Sequence, residues 1–172
     1  MSPMLHIKLC TKDDIVLLSP WDNIEYFEEA FQEQEDSKRL ILLAFIDGTL
    51  TGYVHLNRFP KYAPFRHMGI YEIQDLFVIP AFRRQGIGER LVGACERYAA
   101  AEGATELGIG VGVAGRFGAA QKLYTRLGYI PDGAGVVFER EPMTEGTVKP
   151  VDDRMCLMLL KNISLEGSIG DA

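Results

Sequence analysis

Apolar and polar positions alternate along "MLHIKLC", which predicts a first strand ending at Cys10. From Thr11 the spacing becomes helical, and Pro20 divides the stretch, so one or two helices are expected before Ser37. Thr11 is placed to cap the first helix, with Asp14 three positions on. Asp22 or Asn23 opens the second, whose outer face is acidic. Two apolar runs then flank Asp47-Gly48, a dipeptide suited to a tight reversal, which predicts a hairpin from Leu40 to Arg58. Residues 69–79, "GIYEIQDLFVI", read as a long central strand. The helix that follows carries Ile87, Leu91, Ala94, Cys95 and Tyr98 on one stripe and ends near Gly103. "ATELGIGV" predicts the next strand, and "GRFGAAQKLYTRLG" a helix closed by Gly128. The segment from Tyr129 begins as a strand and becomes a polar loop, and "RMCLMLLKNI" is a last strand. The order describes one mixed α/β domain over residues 1–163, with helices packed on a sheet. Residues 164–172 are expected to fray.

Composition narrows the classes. The chain has 172 residues, 47% hydrophobic and 24% charged, which suffices for one domain with a full core. A net charge of −6 argues against a nucleic-acid partner, which would want a basic face. No apolar run approaches the length of a membrane span, and the N-terminus lacks the pattern of a secretory signal. Cys10, Cys95 and Cys156 form no regular framework, so reduced thiols and a cytoplasmic setting are expected. His6, His55 and His67 are scattered without metal-ligand spacing, and no metal is expected.

One turn stands out. "RRQGIGER" joins the central strand to its helix and places Arg83, Arg84, Gly86 and Gly88 at the helix start. The first turn of a helix has N–H groups without intrahelical partners, and its dipole favours negative charge. Two glycines leave those groups uncovered, and two arginines add positive charge, so the turn suits a pyrophosphate. It is not a dinucleotide fingerprint, because Leu91 stands at the third glycine position. Nor is it a P-loop, because no Lys-Ser or Lys-Thr follows.

"DLFVIPAFRRQGIG" resembles motif A of the GNAT acetyltransferase superfamily, with Arg83, Gly86 and Gly88 matching its pattern. "GAAQKLYTRLGYIPDG" resembles motif B, through Ala120, Leu123, Tyr124, Leu127 and Gly128, with Tyr129 where the family has Phe and Phe117 where it often has Asn. The resemblance implies a single GNAT-like domain of α+β type. Its mixed, mostly antiparallel sheet would have about seven strands, helices on both faces and a bulged, splayed central pair. It implies acetyl-CoA as co-substrate, with the pyrophosphate on Arg83, Arg84, Gln85, Gly86, Ile87 and Gly88. Phe77 and Val78 would pair with the pantetheine arm, and Phe117 and Ala120 would lie along the cofactor.

The implied reaction moves an acetyl group to an amine. The resemblance makes Tyr124 the general acid at the sulfur. It makes Glu72, fourteen residues before Gly86, a candidate base, with Asp75 on the same strand and a water chain as alternatives. Gly108, Gly110 and Gly112 strip one face of the next strand, either for close approach of another group or for packing. Cys95 lies on an apolar stripe, so direct transfer in a ternary complex is expected rather than an acetyl-cysteine. Candidate acceptor contacts are Trp21, Tyr26, Glu29, Tyr62, Phe138, Glu139 and Glu141, a set suited to a cationic small-molecule amine. A protein lysine or N-terminal amine is the alternative acceptor, and a non-catalytic acyl-CoA-binding module the alternative role. Dimers are common in the family, so a homodimer stays open.

Overall fold

The structure is a computed structural model and describes residues 2–164. The expected frayed tail therefore lies, apart from Ser164, outside the described residues. The described elements are β1 (Leu5–Leu9), α1 (Ile15–Leu18), α2 (Ile24–Glu35), β2 (Arg39–Ile46), β3 (Thr49–Asn57), α3 (Ala63–Met68), β4 (Tyr71–Val78), α4 (Ile87–Ala101), β5 (Glu106–Gly112), α5 (Gly118–Arg126), β6 (Ile130–Phe138), β7 (Glu141–Pro142) and β8 (Met155–Asn162). They form one α/β domain whose sheet runs β1-β2-β3-β4-β5-β8-β6-β7. The pairs β1–β2, β2–β3, β5–β8, β6–β8 and β6–β7 are antiparallel.

The β2–β3 hairpin forms as its dipeptide dictates. Asp47 and Gly48 both take left-handed φ values, 48° and 82°, which match the twist of the flanking strands. Among the described residues the sheet has eight strands rather than about seven. The extra one, β7, pairs Val137 with Pro142 and Phe138 with Glu141. Glu139 and Arg140 make that reversal at φ 51° and 67°. Neither is a residue that signals such a turn, so the sequence read it as loop. The helix α3 was also hidden, inside the Pro-containing "FPKYAPFRH". Pro64 sits in its first turn, where a missing N–H costs nothing, and Gly69 ends it at φ 68°.

Tertiary contacts group the chain into two compact units. One takes the chain up to Arg58 with Ile73–Tyr98, the other Phe59–Glu72 with the chain from Ala99 onward. In the first unit α2 lays Phe27 and Ala30 on Ile41, Leu43 and Tyr53, with Leu18 and Ile79 completing the core. In the second, Tyr62 and Phe65 pack with Ile70, Val137, Cys156 and Met158. The division falls inside β4, between Glu72 and Ile73.

Candidate active site

In the first unit β4 runs into the glycine turn. A 3-10 turn at Pro80–Phe82 leads to Arg83, and α4 starts at Ile87. The first rung of the helix runs from the Arg90 N–H to the Gly86 carbonyl, 3.1 Å. The N–H groups of Ile87 and Gly88 lie ahead of that rung, where no carbonyl of the helix can accept from them. Arg84 and Gly86 both adopt left-handed φ, 62° and 79°. A non-glycine there costs on the order of 1–3 kcal/mol, and such strain gathers where backbone geometry serves a site. A Cβ on Gly86 would meet nothing within 4 Å, so the turn is open as well as bare. Arg84 and Gln85 are exposed. Arg83 is partly committed: its Nε donates to the Val78 carbonyl at 2.9 Å, and its guanidinium lies 5.6 Å from the Phe77 ring centre.

Further up β4, Asp75 has φ 53°, a left-handed residue in the middle of a strand. Strict alternation along the strand breaks there, as the bulge implied by the resemblance requires. The Asp75 side chain is 44% exposed. Its Oδ2 accepts from the Tyr26 hydroxyl and lies 4.0 Å from His55 Nδ1. Arg39 stands behind this group, with Nη1 2.9 Å from His55 Nδ1 and Nε donating to Glu33 Oε2 at 2.7 Å. Burial holds the His55 imidazole down to about 4 and raises the Tyr26 phenol, with Asp75 adding to the latter. Both stay neutral in the ordinary working range. Trp21 lies beside Phe77, ring centres 5.9 Å apart, and Glu29 is exposed on α2.

In the second unit Glu72 has no exposed surface, and its Oε1 accepts from Arg140 Nη2 at 2.7 Å and Nε at 3.1 Å. Glu72 thus takes the ion-pair role rather than standing open as a base. The β5 glycines also resolve toward packing. A Cβ on Gly108 would overlap the Phe65 ring, one on Gly112 the Phe117 ring, and one on Gly110 would lie 3.0 Å from Arg140 Nη2. Side chains of the same unit fill that face of β5. Phe117, which replaces the motif's Asn, packs on Gly112, with Arg116 4.6 Å over its ring. Tyr124 is 6% exposed on α5, and burial pushes its phenol up to about 12, so it stays a proton donor at neutral pH. Ala120 is partly exposed one turn earlier.

The acceptor candidates of this unit divide. Tyr62 is fully buried, donates to Asp132 Oδ2 at 2.6 Å and packs on Phe65, so it is a core residue instead of a lining one. Phe138 is half-buried, flanked by Lys149 at 5.1 Å and Arg154 at 4.8 Å. Glu139 is exposed and lies 3.8 Å from Arg154, and Glu141 is exposed on β7. Sequence reasoning missed Arg39, His55 and Arg140. His55 alone stands inside an apolar run, and nothing local marks Arg39 or Arg140. Among the described residues no group of three His, Cys, Asp or Glu side chains is placed to hold a metal.

The uncharacterized N-acetyltransferase YhfO of Bacillus subtilis is 34% identical over 98 residues, which cover 57% of this chain and 63% of that protein. The match therefore spans less than two thirds of this relative's length. The fold is shared with YncA of Salmonella typhimurium, a putative acetyltransferase solved with its cofactor acetyl-CoA. It is 15% identical with a TM-score of 0.69, over 93% of this chain and 94% of that one. Spermidine/spermine N-acetyltransferase SpeG of Vibrio cholerae is 16% identical with a TM-score of 0.69, over 95% and 96%. The model of the acetyltransferase (GNAT) family, which uses acetyl-CoA, matches residues 8–129. With motif A on the turn into α4, motif B on α5 and this match spanning both, the chain belongs to the GNAT acetyltransferase family.

Proposed function

We propose that the protein transfers the acetyl group of acetyl-CoA to a primary amine of a small molecule, directly, in a ternary complex. The observation that carries this reading is the turn from Arg83 to Gly88. It combines bare helix-start amides, two left-handed positions and open space at Gly86. Those amides and Arg84 would hold the pyrophosphate, and backbone at Phe77 and Val78 would pair with the pantetheine arm. The co-substrate supplies the acetyl group as a thioester. Tyr124, held protonated by burial, gives a proton to the departing sulfur. An acetyl-cysteine is disfavoured because Cys95 is fully buried and burial raises its thiol further.

A small cationic acceptor is supported by the side chains near β4 in the first unit. Tyr26 donates to Asp75, Tyr53 feels the charges of Asp75 and Asp22, and Phe77 packs against both Tyr53 and Trp21. Aromatic faces with carboxylates suit an alkylammonium. The resemblance of fold to a spermidine/spermine acetyltransferase is compatible with such an acceptor. No helix among the described residues is long and apolar enough to cross a membrane. Cys10, Cys95 and Cys156 are free and buried, which supports a reducing, cytoplasmic setting.

Thiol release from acetyl-CoA, measured across small amines, lysine peptides and N-terminal peptides, tests the reading. Turnover with a small amine at a kcat/KM well above that of the peptides is expected. Tyr124→Phe should lower kcat by about 100-fold while calorimetric acetyl-CoA affinity stays within a factor of about two. Tight acetyl-CoA binding with no turnover of any acceptor would make the protein a sensing module instead.

A further inference from the structure

We propose that Asp75 takes the proton of the acceptor ammonium, and that Tyr26, backed by the buried pair Arg39–His55, is the positioning residue that presents it. The assignment rests on the transferase reading above.

An alkylammonium is no nucleophile until it loses a proton, and at neutral pH it needs help to do so. β4 offers two carboxylates. Glu72 is buried against Arg140, whereas Asp75 is nearly half exposed. The Tyr26 hydroxyl donates to Oδ2 of Asp75, which leaves Oδ1 for the acceptor. Tyr26 is itself fixed. Its ring stacks on His55 at 5.9 Å with 21° between planes and meets Phe27 edge-on at 5.6 Å. His55 has no exposed surface, and its Nδ1 lies 2.9 Å from Arg39 Nη1. A guanidinium only donates, so Nδ1 is the acceptor and the neutral ring carries its proton on Nε2. His55 therefore has no lone pair left to act as the base. Its Nδ1 stands 4.0 Å from Asp75 Oδ2, beyond hydrogen-bond reach.

Arg39 is 8% exposed and fastened at its other arm to Glu33. Its charge acts on both Tyr26 and His55. The groups that meet Asp75 are thus Tyr26 on α2 and His55 and Tyr53 on β3, with Arg39 and its partner Glu33 behind His55 and Asp22 acting on Tyr53 and His55. A purely structural network has no need to end at a half-exposed carboxylate on a left-handed residue. This one places its single open oxygen on the strand that leads into the cofactor turn.

In the step itself, Asp75 removes one proton from the ammonium and frees the nitrogen lone pair. The N–C bond forms as the C–S bond breaks, and the thiolate takes its proton from Tyr124. The acetylated nitrogen then gives up its second proton, which passes through water to restore Tyr124, and Asp75 gives its own proton to water, so one proton is released in all.

The test uses the full chain, an amine that the wild type acetylates, and kcat/KM from pH 7 to about 10. Asp75→Asn keeps a side chain that tolerates left-handed φ and should lose about 100-fold at pH 7. Tyr26→Phe should lose about tenfold in kcat/KM at pH 7, with acetyl-CoA affinity by calorimetry unchanged. Both losses should shrink toward pH 10, where the acceptor sheds its proton unaided. Should Tyr26→Phe fold poorly, His55→Gln, which keeps an acceptor for Arg39, should retain most activity, while His55→Leu follows the pattern of Tyr26→Phe. Losses that are absent, or equal at both ends of the pH range, overturn the assignment while the transferase stands. A wild type inert toward every amine overturns the transferase reading and this assignment with it.

Discussion

The Arg140 guanidinium closes on the Glu72 carboxylate through Nη2 at 2.7 Å and Nε at 3.1 Å, with Glu72 wholly shielded from solvent. The contact ties the β6–β7 reversal to β4, and its arginine sits at φ 67°. Removing one partner of a buried pair leaves an uncompensated charge and costs about 3–5 kcal/mol. Glu72→Gln should therefore lower Tm by roughly 10 °C, since each kcal/mol shifts a chain of this size by about 2–4 °C. Activity per folded molecule should change only a few-fold. A folded, equally stable Glu72→Gln protein without activity would return Glu72 to the role of base.

Gly52 stands against β4. A Cβ there would lie 2.7 Å from the Phe77 carbonyl oxygen and 3.3 Å from Leu91 Cδ1. The obstacle is backbone, so the strand must shift. Gly52→Ala should cost about 2 kcal/mol in chemical denaturation and weaken acetyl-CoA binding several-fold, because Phe77 and Val78 are the backbone offered to the pantetheine arm. Unchanged affinity in a destabilised Gly52→Ala protein would remove that pairing role.

The two glycine positions differ in what they protect. At Gly86 there is open space, and only the φ of 79° resists a side chain. Gly86→Ala should cost stability of about 1 kcal/mol with a modest effect on binding. Gly86→Asp should weaken acetyl-CoA at least tenfold more than Gly86→Ala, since it adds a negative charge beside the phosphates. Calorimetry on both variants reads the difference, and equal affinities would mean that the pyrophosphate lies elsewhere.

These effects divide along the line between what the sequence carries locally and what it does not. The Asp47-Gly48 reversal and the Arg83–Gly88 turn were legible because a few adjacent residues set the φ values and expose the amides, and the stripe of α4 was legible except at Tyr98, which stands exposed. The contacts around the two carboxylates were not. Tyr26 and Asp75 are 49 residues apart, and Glu72 and Arg140 are 68 apart. Nothing near either residue predicts its partner. Tyr62 stood among the candidate acceptor contacts, but its ring, just ahead of α3, packs into the core. The glycines of β5 were legible as a bare face, and only the packed side chains of Phe65, Phe117 and Arg140 say what the bareness is for.

Buried thiols and phenols set the alkaline limit of stability. Burial raises Cys10 to about 12 and also raises Cys95 and Cys156. It raises Tyr124 to about 12, and Tyr26, Tyr53 and Tyr62 in the same direction. A group whose folded pKa lies above its unfolded one stabilises fully below the unfolded value, and that contribution is lost as pH rises toward the folded value. Unfolded thiols ionise near 8.5 and phenols near 10. Stability should therefore hold to about pH 8.5, then fall as the unfolded chain releases protons that the folded chain retains. Each such group contributes up to about 1.4 kcal/mol per pH unit. Denaturation midpoints from pH 8 to 11 should drop in two overlapping phases, thiols first. Cys95→Ala should flatten the earlier phase, whatever its cost in packing at neutral pH, because it deletes one of the protons released there. A midpoint that stays level to pH 11 would mean that water reaches these groups in the folded protein.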